Sequence, residues 1–448
     1  MEQPKKQLLG VFDFTMIVIG LVIGMGIFRT AKDAAGAALN PTIYFSAWIA
    51  GGVIALCGAL TYAEIGSRYP VTGGYYKVFS YAFHPSIAFA LNCSILISNA
   101  ASISGVALIG AGYVSKVFLG PDVSNWIKVL IAMAAIFIFY GVNMMGLRMS
   151  AKTQTVLMLI KIGMILLLIS ALFFPAAYET GTAAVVAGEN IAWTEWIKSF
   201  GICLIAVSFT YGGYQQTINF GNEVKQASRN IPRSIFIGIT VIILLYLTVN
   251  IAYYKTVGFG NMKTTGEIAS VVVGKMFGTG GANAFSLLLF LSVLAYVNGS
   301  MMSNPRVIYA MSEDRVLPAF LQKKSSKKEV LVFSLTIYAA ACIIVLFFAD
   351  TFEKILSFSI FLDSFGMCTS AATIFMLRKR TKHLDGTGIY KMRLFPLQPL
   401  VFIAAYVFVC ISIIFNTPKI ALTGAVVLAV FMILYFLTSG RSRKSNKA

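Results

Sequence analysis

The sequence has little charge and very little histidine. Only 12% of its 448 residues are Asp, Glu, Lys or Arg, and it has two histidines. Soluble domains carry about 25% charged residues, so a soluble fold of this chain would lack a polar surface. The sequence also lacks a G-x-x-x-x-G-K-[ST] phosphate loop and clusters of His, Asp or Glu at metal-ligand spacing. We therefore predict that the protein is not an enzyme or an ATP-driven pump and that it uses no metal and no cofactor.

The six cysteines lack the spacing of a metal or disulfide framework. None is in a C-x-x-C pair, and all lie inside apolar stretches. We interpret them as small packing residues. They are Cys57, Cys93, Cys203, Cys342, Cys368 and Cys410.

Apolar residues are abundant, at 58% of the chain, and the mean hydropathy is +0.80. A helix needs roughly 20 mainly apolar residues to cross a bilayer, and a window of that length finds about twelve segments. This pattern predicts an all-α polytopic membrane protein. The predicted spans are 10–35, 42–67, 86–118, 125–146, 153–175, 196–222, 233–257, 282–311, 330–349, 354–378, 396–416 and 419–438.

The net charge of +19 is explained by the loops between these spans. About two thirds of the 36 Lys and Arg residues fall on the side that holds the N-terminus. Loops rich in Lys and Arg stay in the cytoplasm, so we expect both termini to be cytoplasmic. This distribution accounts for the excess positive charge without nucleic-acid binding.

Glycines interrupt the first and the sixth predicted spans. The first holds Gly24 and Gly26 within Ile23–Phe28, and the sixth holds Gly212 and Gly213 within Ser208–Tyr214. Glycine destabilises a helix interior by about 1 kcal/mol relative to alanine. Interrupted spans at corresponding positions of two halves point to a transporter binding site. A break exposes N–H groups that attract a carboxylate and carbonyls that attract an ammonium, which together match an α-amino acid.

Five motifs occur in order over about residues 10–320. They are I-G-x-G-I-F at Ile23–Phe28, Thr61–Pro70 followed by Gly73-Gly74, Asn219-Phe220 with Glu223–Lys225 and Arg229–Arg233, Val297–Ser300, and Pro305–Ala310. This ordered set resembles the amino acid–polyamine–organocation superfamily, and within it the L-type amino acid transporters and related bacterial permeases.

The resemblance implies a LeuT-like fold of two inverted five-helix repeats plus two accessory helices. The implied division is a cytoplasmic tail at 1–9, a first repeat at 10–175, a second repeat at 196–378, accessory helices at 396–438 and a basic cytoplasmic tail at 439–448.

The resemblance also assigns a substrate site to the two breaks. It implies that amides of Gly24, Met25 and Gly26 hold a substrate carboxylate and that carbonyls of Val22, Phe209 and Gly212 hold its amine. Phe209 would close over the substrate as a gate. Tyr296 falls where the family has a small pocket residue, which indicates a small substrate. The predicted substrate-binding set is Val22, Ile23, Gly24, Met25, Gly26, Phe209, Thr210, Tyr211, Gly212 and Tyr296.

Charged residues within the spans are candidates for coupling and gating. By resemblance, Lys161 occupies the sodium position of sodium-coupled relatives, with its ammonium near the Gly24 carbonyl and Ser300; snorkelling to the interface and proton coupling are the alternatives. Asp363 is either on the substrate path or a structural carboxylate. Glu64 belongs either to an inner gate of ion pairs or to ordinary interfacial charge.

These observations predict a secondary active transporter in the inner cell membrane. It would move neutral, small L-amino acids by alternating access, through exchange or proton-linked uptake, and would need no partner subunit. An amino-acid-binding sensor or transceptor and a cationic amino acid or polyamine antiporter are the alternatives.

Overall fold

The computed structural model describes residues 8–24, 26–120, 123–174, 192–325, 329–347 and 352–445, with the backbone alone over 352–360 and 438–445. The described chain is helical, and its extended pairing is limited to two isolated bridges. The helices are α1 (Val11–Val22), α2 (Gly26–Ala37), α3 (Pro41–Arg68), α4 (Gly74–Ala82), α5 (Pro85–Leu119), α6 (Asn125–Met144), α7 (Leu147–Ser170), α8 (Trp193–Tyr211), α9 (Ala227–Val257), α10 (Phe259–Met262), α11 (Ile268–Glu313), α12 (Val332–Leu346), α13 (Phe352–Arg380), α14 (Leu397–Asn416) and α15 (Pro418–Ser445).

The prediction of an all-α polytopic membrane protein is confirmed. Ten helical segments of the described chain are long and apolar enough to cross a membrane, with α1 and α2 counted as one and α8 extended to Asn219. The predicted ninth span corresponds to α12, a shorter apolar helix of 15 residues, and the predicted tenth lies within α13. Large exposed side chains on α15, such as Leu422, Val426 and Ile433, have the apolar surface expected of a lipid-facing helix.

The hydropathy windows missed two features of the chain. The nine-residue helix α4 follows Gly73, whose φ of +66° places it in the left-handed region. Helix α11 begins at Ile268, fourteen residues before the predicted eighth span, and is kinked at Gly278, where φ is +70°. The predicted span 282–311 corresponds to the part of α11 after this kink.

Local sequence signals fix several helix starts. Asn40 caps α3 by accepting a hydrogen bond from the Ile43 amide at 2.9 Å, and Pro41 takes the first helical position. His84 and Pro85 start α5 in the same way, with the imidazole of His84 accepting from the Ser86 amide. These caps set the starts of α3 and α5, and α5 carries residues of the central site.

The two interrupted helices lie at the centre of the bundle. Helix α1 packs against α9 and α7, while α2 packs against α8. Helices α5 and α11 pack along each other and complete the wall around the interruptions, together with α13. We call the end of the bundle that holds Leu8, Leu9, Arg68 and Glu223 the N-terminal face.

Candidate functional site

The first break separates α1 from α2. Helix α1 ends at Val22, and Ile23 has φ −71° and ψ 85°, which is not helical. The Gly24 amide donates to the Val22 carbonyl at 2.8 Å, which closes a tight turn before α2 begins at Gly26. The first amides of α2 have no intrahelical acceptor because a helix leaves its first N–H groups unpaired. The predicted interruption of the first span is therefore present.

The second break separates α8 from the turn that follows it. Helix α8 ends at Tyr211, Gly212 is extended, and Gly213 has φ +113°. The chain then continues as a 3₁₀ turn over Tyr214–Asn219. A φ of +113° is readily available only to glycine, which explains the Gly-Gly pair.

The two breaks are in direct contact. A β-carbon on Gly213 would lie 2.1 Å from the carbonyl oxygen of Leu21, and one on Gly26 would lie 2.9 Å from Oγ1 of Thr210. Both distances are shorter than any van der Waals contact, so only glycine permits these backbones to approach. The polar backbone groups of both breaks are thereby brought to one place.

A cavity of about 90 Å³ lies at this meeting point. Its wall combines both breaks with side chains from α5, α11, α13 and α14. This volume has room for several water molecules, and most of the lining surface is apolar. The lining residues are Leu21, Val22, Gly24, Gly26, Asn99, Ser102, Val106, Ser208, Phe209, Thr210, Gly212, Gly213, Gln215, Gln216, Tyr296, Asp363, Ser364, Met367 and Tyr406.

Seven of the ten predicted substrate-binding residues line this cavity. They are Val22, Gly24, Gly26, Phe209, Thr210, Gly212 and Tyr296. Ile23 and Tyr211 are buried but do not line the cavity. The ring of Tyr211 packs on Trp48 and Tyr246. Met25 lies outside the described residues.

Polar side chains of α5 and of the 3₁₀ turn also belong to the site, although no sequence motif predicted them there. Asn99 and Ser102 on α5 and Gln215 and Gln216 after the second break all line the cavity. The signal available in the sequence was the polar pair Gln215-Gln216 directly after Gly213. The position of Asn99 follows only from the way α5 crosses the breaks.

Lys161 joins α7 to the first break. Its side chain is completely buried, and its ammonium donates a hydrogen bond to the carbonyl of Ile23. The acceptor is therefore the carbonyl next to that of Gly24, which the resemblance predicts together with Ser300 as the neighbours of this ammonium. Within the described residues, no hydrogen bond joins Lys161 to Ser300, which lies buried on α11. The position of Lys161 differs from snorkelling because the charged end points into the bundle.

Asp363 on α13 lies in the wall of the cavity. Its Oδ1 accepts a hydrogen bond from Ser98 at 3.3 Å, and no ion pair involves it within the described part of the chain. Placing Asp363 beside the breaks required the packing of α13 on α5, which the sequence did not reveal.

Glu64 is the centre of a buried ion-pair network on the N-terminal face. Its carboxylate is completely buried and accepts from Nε of Arg68 at 2.7 Å and from Nε and Nη2 of Arg378 at 2.7 and 2.6 Å. The Met392 amide also donates to it at 2.8 Å. Glu64 therefore ties the end of α3 to the end of α13 and to the segment that follows α13.

This network continues outside the membrane-spanning segments to Asp385. Arg68 donates to Asp385 at 2.7 Å, and Lys391 lies 3.0 Å from its other oxygen. These two cations lower the pKa of the Asp385 carboxyl below its ordinary value.

Backbone contacts close the N-terminal face beside the breaks. The amides of Leu8 and Leu9 donate to the Glu223 carbonyl at 3.0 Å, and the Gly73 amide donates to the Asn219 carbonyl at 2.9 Å. Arg306 pairs with Glu223 at 2.7 Å. The segments that precede α1 and follow α8 are thereby fastened to each other.

Comparisons with known proteins agree with this architecture. The family model described as "Amino acid permease" matches residues 9–438. The serine/threonine exchanger SteT of Bacillus subtilis (strain 168) is 26% identical over 411 residues, covering 90% of this chain and 90% of that protein. The branched-chain amino acid permease BcaP of the same organism is 24% identical over 482 residues, covering 100% and 96%. The Asc-type amino acid transporter 1 of Mus musculus is 22% identical over 443 residues, covering 96% and 81%.

Proposed function

The chain belongs to the amino acid permease family, and from this premise we propose that it is a secondary transporter of small, neutral L-amino acids that works by alternating access. The observation that carries the proposal is the cavity at which the two helix breaks meet. Relatives named as exchangers and permeases of amino acids support transport as the activity.

The backbone chemistry of the breaks suits a zwitterion. The first turn of α2, beginning at Gly26, presents unpaired N–H groups and the positive end of a helix dipole, which favour a carboxylate. The last carbonyls of α1 and α8, at Val22 and Phe209, present partial negative charge that favours an ammonium. The Phe209 carbonyl accepts one hydrogen bond, from the Gly212 amide at 3.3 Å, and keeps a second lone pair, whereas the Val22 carbonyl accepts from the Gly24 amide at 2.8 Å and from the Tyr246 hydroxyl at 3.5 Å.

The size of the cavity supports a small substrate. Sites for drug-sized ligands occupy roughly 300–1,000 Å³, whereas this cavity has about 90 Å³. Tyr296 narrows it from α11, since its ring lies 3.6 Å from the position of a β-carbon on Gly24. A bulky side chain would therefore need the wall to move.

Asp363 supports one competing function. It is the one Asp, Glu, Lys or Arg residue among those that line the cavity. An anionic side chain that has no cation beside it among the described residues suits a cationic amino acid or a polyamine, so an antiporter of such substrates is the second candidate.

Lys161 and the N-terminal face have proposed roles in the transport cycle. Lys161 would couple α7 to the first break, and Glu64 would belong to a gate on the N-terminal face. We further propose the two inverted repeats, the inner cell membrane as location and cytoplasmic termini, on the basis of the paired breaks and the Lys and Arg distribution.

Uptake of radiolabelled amino acids into proteoliposomes tests the proposal. The purified chain should give saturable uptake that unlabelled small neutral amino acids compete, measured at two pH values. Stimulation of uptake by amino acid inside the vesicles would identify exchange, whereas lysine or a polyamine as the strongest competitor would favour the second candidate. If no amino acid competes, the proposal fails.

A further inference from the structure

A smaller chamber adjoins the cavity between α5, α11 and α13. It has a volume of about 10 Å³, which is room for about one water molecule. It shares Asn99, Gln215, Gln216 and Asp363 with the wall of the cavity, so the two spaces lie next to each other. Asn92 lies in the wall of the chamber alone.

The chamber contains buried acceptors that lack donors. Oδ1 of Asn92 and Oε1 of Gln216 have no hydrogen-bond partner among the described residues, although Asn92 is completely buried and Gln216 is 8% exposed. The other end of the Asn92 amide donates to the Ala88 carbonyl at 2.8 Å, which orients its oxygen. Most buried polar atoms in folded proteins are hydrogen-bonded, so two unmatched acceptors in one wall require an explanation.

The Asp363 carboxylate adds a third acceptor to the same wall. It receives a hydrogen bond from Ser98, and the described residues that line the cavity and the chamber include no lysine or arginine. A carboxylate retains acceptor capacity after one such bond, because its two oxygens offer about four lone-pair sites. The group that fits beside Asn92, Gln216 and Asp363 is therefore one that donates hydrogen bonds.

We propose that this chamber is the subsite for the substrate side chain and that it selects short side chains ending in a hydroxyl, which is a hydrogen-bond donor. This inference rests on the proposed function, because the substrate must first be an amino acid held at the breaks. The cavity and the chamber together limit the length of the side chain, and the three acceptors set its chemistry.

The selection follows from the cost of leaving the acceptors unmatched. A site built to hydrogen-bond a substrate group rejects an analogue that lacks the group far more strongly than an apolar pocket rejects a change of one methylene. Threonine and valine have nearly the same shape and differ in one donor. We expect the protein to bind threonine at least tenfold more tightly than valine, and serine more tightly than alanine.

Competition assays with these matched pairs test the proposal. Inhibition constants for threonine, valine, serine and alanine are measured against a transported amino acid in proteoliposomes holding the full chain. Gln216→Leu and Asn92→Leu should each reduce the threonine-to-valine ratio to within about threefold of unity. Ser292→Ala is the control, because it removes a buried hydroxyl that also lacks a partner among the described residues but lines neither space. It should leave the threonine-to-valine ratio unchanged.

The outcomes separate the inference from the proposed function. Equal constants for threonine and valine in the unmodified protein, or a preference that persists in both leucine variants, would overturn the inference and leave amino acid transport intact. Competition by no amino acid would overturn the proposed function itself. If one variant fails to reconstitute, ligand-dependent thermal stabilisation in detergent gives the threonine-to-valine ratio for that variant.

Discussion

Gly213 lies so close to Leu21 that a β-carbon on it would be 2.1 Å from the Leu21 carbonyl oxygen. The contact joins the second helix break to the last turn of α1. Since Gly213 also has φ +113°, both the backbone conformation and the packing require glycine here. Together with the contact between Gly26 and Thr210, it brings the two breaks to a common cavity.

Gly213→Ala should abolish uptake and lower stability. The left-handed strain alone costs about 1–3 kcal/mol, and the methyl group would also force the two breaks apart. Gly163→Ala is the control, because a β-carbon on Gly163 meets no atom within 4 Å. Thermal unfolding in detergent and proteoliposome uptake measure the two effects. Normal uptake by Gly213→Ala would contradict the contact described here.

Lys161→Ala should abolish uptake or uncouple it from its driving gradient. The substitution removes the donor that holds the Ile23 carbonyl and leaves a cavity in α7. Lys152→Ala changes an exposed lysine of the same helix and should leave transport unaltered. Initial uptake rates at two pH values make the comparison. Unchanged rates and an unchanged pH dependence in Lys161→Ala would exclude a coupling role.

Glu64→Gln should destabilise the protein by about 3–5 kcal/mol, because removing one partner of a buried ion pair leaves the other charges uncompensated. The arginines concerned are almost fully buried, with Arg68 1% and Arg378 14% exposed. Glu267→Gln breaks an exposed pair with Lys116 and should cost less than about 1 kcal/mol. Denaturant unfolding in detergent compares the two. If both variants lose the same free energy of unfolding, the Glu64 network behaves as surface charge.

Asp385 should make stability depend on pH in the acid range. Its pKa is lowered in the folded protein by hydrogen bonds from Arg68 and Lys391. The stabilisation is therefore complete above the ordinary pKa of an aspartate, about 3.9, and is lost as the pH falls through the lower folded value. Asp385→Asn should melt below the unmodified protein at neutral pH, and the difference should shrink below about pH 4.

Melting curves from pH 3 to 7 test this expectation. Lys391→Gln removes one of the two cations and should reproduce part of the effect at neutral pH. A difference between Asp385→Asn and the unmodified protein that stays constant over this range would show that the carboxylate does not contribute through its charge.

The fold class and the helix breaks were predictable from the sequence because both are local properties. Hydropathy over 20 residues reports whether a segment can cross a bilayer, and glycine pairs report where such a segment loses its helix. The helix α4 and the kink at Gly278 were missed, since a nine-residue helix falls below the length of a span and a single glycine is a weak signal.

The sequence was a poorer guide to which side chains meet at the cavity. Tyr211 adjoins the second break in sequence but turns away to pack on Trp48, whereas Asn99, distant in sequence, enters the cavity. A helix distributes neighbouring residues around its axis, so position along the chain does not determine which face meets the site.

By itself the sequence determined that this chain folds as membrane-spanning helices and that two of them are interrupted, because composition and glycine act through solvent and local backbone energy. Only the tertiary structure decided that Gly213 meets Leu21, that Lys161 bonds the Ile23 carbonyl, and that Asp363 joins Asn92 and Gln216 in one wall. Those relationships depend on how helices distant in sequence pack, and packing is set by the fit of whole helix surfaces rather than by any one segment.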